Sequence, residues 1–361
     1  MTALVIDRQQ ISRTALRLAV PLGATLLALL LGLLMIALSG RSVPDAVEAF
    51  IDGAIGSPFA FGASVNRAVA LALVGFGFII ANRANLTNVG GEGQIAVGGI
   101  AATAVALYGG VQDLGLGLAV LLPLLAGALA GAGWGAIAGV MKVRFGTNEV
   151  ISTLLLGFIA LLLVYWSVQS DNLLRQPRNS SATLPESLPI PPSTQLPALT
   201  PDPESPLHIG LLLCLLAAIA TAVLLQRSSF GLRLRAVGLN ELAARRAGMP
   251  CDWLLVAALG IAGALGGMAG ASMIQGEQYY LKAGFSSGYG FDGLVVGLLS
   301  RGSAVGVLAG ALFFGFLRSG GISMEISAQV PAALTLVIQG LIVISVAGSV
   351  ILAERLSGEA K

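Results

Sequence analysis

Nine charge-free apolar runs set what this chain can become: 18–40, 68–82, 93–112, 114–141, 150–170, 209–226, 253–276, 302–317 and 326–353. A helix rises about 1.5 Å per residue, so about 20 apolar residues cross the hydrocarbon core of a bilayer, and most of these runs reach that length. Runs 68–82 and 302–317 are short, and 293–300 is a still shorter apolar piece between Asp292 and Arg301. The pattern predicts an all-α polytopic membrane protein of nine or ten transmembrane segments, some of them interrupted, with the count open around 285–320. Residues 1–361 read as a single transmembrane domain. Run 18–40 is longer than the apolar core of a secretory signal, and no small-residue cleavage site follows it, so it is expected to remain as a span.

Composition agrees and narrows the chemistry. Charged residues make up 11% of the 361, against about a quarter in soluble domains, and mean hydropathy is +0.88. The net charge of +2 lacks the basic field of a nucleic-acid binder. Most of the 48 glycines lie within apolar stretches, where small residues let helices approach closely. Cys214 and Cys251 have no CxxC spacing, and the single histidine, His208, reads as an interfacial residue at the start of an apolar run, so no disulfide or metal site is expected. None of Lys142, Lys282 and Lys361 follows Gly or precedes Ser or Thr, as a phosphate-cradling loop requires. The chain is expected not to hydrolyse ATP.

Lys and Arg near span ends stay cytoplasmic, which orients the chain. Arg8, Arg13 and Arg17 against Asp7 place the N-terminus inside. Alternation then puts Lys142 and Arg144 inside, together with the loop 227–252 that holds Arg227, Arg233, Arg235, Arg245 and Arg246. Loop 171–206 falls outside; it carries nine of the fifteen prolines and is expected to be extended, either as a plain loop or as a docking surface for an external partner.

Three polar clusters interrupt the apolar pattern. In Asn82–Gln94 the Gly-rich break between two spans leaves little room for an aqueous loop, so its backbone is expected to be packed inside the protein or to line a wet cavity. Glu92 is followed by 20 uncharged residues; it either caps the following helix through its N-terminal dipole or serves a gate or pathway. In Gly146–Thr153, Thr147 or Asn148 can cap the next span, and Glu149 suits its first turn. In Arg233–Pro250, Asn240 is an expected N-cap, with Glu241 in the first turn, arginines in the last, and Gly248 and Pro250 as stop signals. A short helix held on the cytoplasmic side is the geometry that fits a groove on another protein.

At these clusters the sequence resembles the permease subunits of bacterial ABC importers for simple sugars and nucleosides, within the ribose-type and branched-chain permease superfamily. Asn88, Gly90, Glu92, Gly93 and Gln94 match one motif of that family, with Val89 for its usual Ile. Asn148, Glu149, Val150, Ile151 and Thr153 match a second. Arg235, Ala236, Gly238, Asn240, Ala243, Ala244 and Gly248 match its cytoplasmic coupling segment, and Gly288–Gly293 followed by Leu298, Leu299 and Arg301 match a fourth. Gly157 stands where the family usually has Asn, and Thr87 where it has Phe, which bears on substrate preference more than on transporter class.

The resemblance implies a non-catalytic subunit in a bacterial inner membrane, paired with a second permease chain, like or unlike. Two ATPase subunits that bind ATP and Mg, and an extracytoplasmic solute-binding protein, would complete the importer. Coupling residues would be Arg235, Gly238, Asn240, Glu241, Ala243, Ala244 and Gly248. Pathway residues would be Asn88, Gly90, Glu92, Gln94, Asn148, Glu149 and Asp292, with no cofactor on this chain. Nucleosides, pentoses and hexoses fit as solutes, branched-chain amino acids less well. ATP binding would close the ATPase dimer and move the 238–248 helix, rocking the spans between outward- and inward-facing states. The acid-Gly pairs at Glu92 and Asp292, each opening a Gly-rich helix, would then face one another across the pathway. The rival readings are an ion-coupled secondary transporter using Glu92 or Asp292, and a channel, for which no filter motif is visible.

Overall fold

The computed structural model describes residues 23–24, 26–177 and 185–356. Arg8, Arg13, Arg17 and the start of run 18–40 lie outside them. The described elements are α1 (Leu26–Leu38), α2 (Val43–Ile55), α3 (Pro58–Arg83), α4 (Gly91–Tyr108), α5 (Leu116–Phe145), α6 (Glu149–Gln169), α7 (Gly210–Arg227), α8 (Ser229–Leu239), α9 (Glu241–Arg246), α10 (Cys251–Met273), α11 (Tyr289–Leu299), α12 (Ala304–Ser327) and α13 (Ala332–Leu356). Among the described residues no strand forms, only isolated bridges, so this is an all-α polytopic membrane protein.

Among the described residues six helices are long and apolar enough for a full crossing: α3, α5, α6, α7, α12, and α10 taken with the π-turn Ile274–Gln278 that extends it. The expected nine or ten segments also count α1, described over Leu26–Leu38, α4 and α13, while α11, Tyr289–Leu299, is apolar but falls below that length. Two boundaries differ from the charge-free runs for a clear reason. α3 begins at Pro58 rather than near 68 because Asn66 and Arg67 lie within it; the buried Asn66 side chain donates to the Pro206 carbonyl at 2.7 Å. α12 likewise runs through Arg318 and Glu325 to Ser327, so run 326–353 is broken before Pro331 and resumes as α13.

The helices fall into two compact units. In the first, from the described residues of 1–60 and 317–361, a core of Ala28, Ile36, Ala46, Ala49, Leu317, Met324, Val330, Ile338 and Ile342 joins α1, α2, the end of α12 and α13. Ser42 caps α2 by accepting from the Asp45 amide. In the second unit, residues 61–316, α3 is the innermost helix, 89% of its most apolar window being buried. α5 and α10 meet along small residues: Gly131 lies against the Gly263 carbonyl and Gly135 against that of Leu259.

In its described part, 171–177 and 185–206, loop 171–206 is tied down by backbone pairing. Pro189, Pro191, Pro192 and Pro197 have no N–H to donate, and amides beside them pair with the π-turn after α10 and the residues that follow it. Ser187 donates to the Leu281 carbonyl at 2.8 Å, Ile190 to Tyr279 at 2.7 Å and Leu196 to Gln275 at 2.9 Å. The Gln275 amide closes the contact by donating to Thr194 and Val120 carbonyls. His208 is buried rather than interfacial: its Nδ1 accepts from the Gly210 amide at 3.1 Å, and burial pushes its pKa down to about 4.

Candidate functional site

The break between α3 and α4 is where the sequence clusters converge. α3 ends in a tight turn in which the Asn85 amide donates to the Asn82 carbonyl and the Leu86 amide to that of Ala81, with Asn85 left-handed at φ 58°. The chain then runs without helix to Gly90. The Asn88 side chain in it pairs reciprocally with the Gln94 side chain at 3.1 and 3.2 Å, and Asn88 Oδ1 also accepts from the Gly90 amide at 3.0 Å. Asn88, Glu92 and Gln94 are all buried, so the backbone exposed by the break is satisfied by protein groups.

Glu92 is a cap, but of a different helix from the one expected. α4 starts at Gly91, and its N-cap Gly90 supplies no side-chain cap. The Glu92 carboxylate instead accepts three hydrogen bonds at the start of α11: from Ser286 Oγ at 2.5 Å and the Gly288 amide at 3.0 Å on Oε1, and from the Gly290 amide at 2.7 Å on Oε2. Donors at a helix N-terminus suit an anion. The two helix starts are therefore in contact rather than separated by a gap, and a Cβ on Gly290 would overlap the Glu92 backbone nitrogen. Asp292 sits half-buried in the first turn of α11, with Tyr289 and Gly293 buried beside it.

The second cluster adjoins the same break. Asn148 caps α6 by accepting from Val150 at 2.9 Å and Ile151 at 3.4 Å, and Gly146 closes α5 at φ 65°. Glu149 pairs with Lys142 at 2.7 Å, so the α5–α6 turn is held by an ion pair. Thr153 Oγ1 donates to the Glu149 carbonyl at 2.6 Å and accepts from the Val89 amide at 3.1 Å, joining α6 to the break. Gly157, the departure from the family pattern, lies where Gly93 of α4 packs against α6.

The third cluster reaches the break from the other side. α8 runs to Leu239, Asn240 ends it, and the Asn240 side chain accepts from the Ala243 amide at 3.0 Å to open α9. The expected 238–248 helix is thus the last turn of α8 followed by the six residues Glu241–Arg246, with Gly248 left-handed at φ 78°. Arg245 pairs with Glu241 at 2.8 Å and with Asp252, which ties α9 to the start of α10. Ala244 is buried, whereas Leu242 is 60% exposed and Ala243 is exposed beside it. Gly238 presses on the end of α3: a Cβ there would overlap the Arg83 carbonyl and lie 3.0 Å from the Asn85 amide.

Residues 83–92 therefore touch α6, α8 and, through Glu92, the start of α11. Sequence reading singled out each cluster but not their meeting, and it missed Ser286. No local signal marks it, because Ser286 does not cap α11 but donates to Glu92 from 194 residues away.

The chain matches the family described as branched-chain amino acid transport system, permease component, over residues 60–347. It is 34% identical to the guanosine ABC transporter permease protein NupP of Bacillus subtilis, covering 92% of this chain and 93% of that one. It is 35% identical to the glucose ABC transporter permease protein TsgB13 of Haloferax volcanii, over 87% and 82% of the two chains. The guanosine permease protein NupQ, also of Bacillus subtilis, is 27% identical over 71% and 80%. No solved structure matches. A polytopic helical chain whose four motifs meet at one helix break, and which aligns with such permeases over most of its length, belongs to the permease-component family of these transport systems.

Proposed function

We propose that this chain is the membrane-spanning subunit of an ATP-driven importer of a nucleoside or simple sugar. The observation that carries the reading is the contact of Gly238 with the end of α3. It gives a cytoplasmic docking helix a direct route to the break between spans. ATP and Mg would be bound on separate ATPase subunits seated on α9, and an extracytoplasmic solute-binding protein would deliver the solute. NupP and NupQ are two different permease proteins of one organism and both resemble this chain, which supports pairing with a second, non-identical permease. The basic loop 227–252 supports a cytoplasmic position for α8 and α9, an N-terminus on the same side, and residence in the inner membrane.

Closure of the ATPases would move α9, and α8 with it. Because Gly238 abuts residues 83–85, that displacement passes to the break. Thr153 passes it on to α6 and Glu92 to α11. Asn88, Gly90, Glu92 and Gln94 then act as the hinge beside the pathway, with Asn148 and Glu149 anchoring α6 and Asp292 on the first turn of α11. Packed elements of this kind switch between discrete arrangements rather than deforming continuously. Three hydrogen-bond donors on Glu92 support a clasp over a proton or sodium site.

Leu242→Asp is the sharpest test of docking, since Leu242 is exposed whereas Ala244 is buried in the permease itself. The permease should assemble and unfold as wild type, while the ATPase subunits bind roughly tenfold more weakly or worse, the loss typical of a central contact. Unchanged ATPase binding and uptake would remove α9 from the interface.

A further inference from the structure

At the foot of α3 a cavity of about 250 Å³ is lined by Arg83, Arg235 and Arg301, together with Asn82, Asn85 and Gly238, and none of its lining residues is acidic. Three separate elements bring the arginines together: the last turn of α3, α8, and the turn after α11, where Arg301 and Gly302 are left-handed at φ 52° and 78°. Arg83 Nε is buried there without a hydrogen-bond partner, while Arg235 and Arg301 are exposed. Converging guanidiniums around a space of this size favour an anion, and their planar forks match a carboxylate or a phosphate.

The surroundings choose the source. α3 is enclosed by other helices, and Ile79, one turn above Arg83, is 2% exposed. A lipid at the protein's flank would not reach this cavity from the side. Its lining also includes Leu239, which is 78% exposed and stands two residues before α9. A protein seated on α9 would cover it.

We propose that the cavity receives an aspartate or glutamate side chain of the ATPase subunit that docks on α9. This rests on the importer reading and adds a second, charged anchor to it. The carboxylate would lock the end of α3 to the ATPase, so that the break at 83–90 is moved from both α8 and α3.

The test uses the complete importer in proteoliposomes. Arg235→Glu and Arg301→Ala change exposed side chains and should leave assembly of the permease intact. Each should weaken ATPase binding roughly tenfold or more, the effect of removing one partner of an enclosed charge pair. An Asp→Arg or Glu→Arg change on the permease-facing surface of the ATPase should restore binding to Arg235→Glu but not to Leu242→Asp. Wild-type ATPase binding by both arginine variants would overturn the proposal, as would failure of every ATPase acid-to-Arg change to rescue. So would binding of inorganic phosphate or of phosphatidylglycerol vesicles by the permease alone that is lost in Arg235→Glu while ATPase affinity is kept. ATP-independent uptake by the wild type would instead sink the importer reading itself.

Discussion

Glu92→Ala is expected to yield a permease that unfolds at markedly lower temperature and fails to transport. Its removal strands the Gly288 and Gly290 amides and the Ser286 hydroxyl at the start of α11, where Glu92 now accepts from all three. Each buried orphan costs about 1–3 kcal/mol. Glu92→Gln should be milder and more informative. Its single oxygen can keep the Gly290 amide, and its nitrogen can donate to a rotated Ser286 hydroxyl, which leaves only the Gly288 amide without an acceptor. The loss is then about 1–3 kcal/mol, with assembly retained and uptake impaired because the α4–α11 clasp is loosened. Thermal unfolding in detergent and uptake in proteoliposomes read the two effects separately. A Glu92→Ala protein as stable and active as wild type would show that the clasp holds nothing.

Gly267→Ala is the second substitution with a large expected effect. Gly267 of α10 faces α5, and a Cβ there would overlap the Gly127 carbonyl and lie 3.0 Å from the Gly131 Cα. The obstructing atoms are backbone, so no side chain can swing away, and the two helices must separate. Overpacking costs about 1–3 kcal/mol where a core can adjust, and this interface has little to adjust with. Gly133→Ala, on the exposed side of α5 with nothing within 4 Å of the added carbon, should stay within about 1 kcal/mol of wild type, near the ordinary Gly-to-Ala propensity difference. Equal melting temperatures for the two variants would contradict the packing.

The features read correctly from sequence are those with a short reach. Asn148 and Asn240 cap α6 and α9 because a cap needs only the amides two or three residues ahead. Apolar runs such as 114–141 and 150–170 became α5 and α6 with ends shifted by a few residues at most. Reading failed where a polar group is satisfied from afar. Glu92 finds its donors 194 to 198 residues away, which no local spacing encodes, so sequence left it open between a cap of its own helix and a gate or pathway residue. Asn66 and Arg67 made α3 look short because a charge-free run was equated with a span. The Pro-rich composition gave no sign of the loop's pairing with the π-turn after α10 and the residues beyond it, since the partners there are backbone carbonyls. His208 was misplaced for the same reason: nothing beside it in sequence shows that Gly276 of the π-turn packs against its ring.

Uptake of labelled nucleosides and simple sugars by the reconstituted importer, with the permease pair, ATPase subunits and solute-binding protein present, tests the permease assignment most directly. Uptake of one of these solutes should require ATP and the ATPase subunits, and should be indifferent to a protonophore. Uptake that persists after ATP depletion and collapses with the protonophore would contradict the assignment and return Glu92 or Asp292 to the role of an ion site.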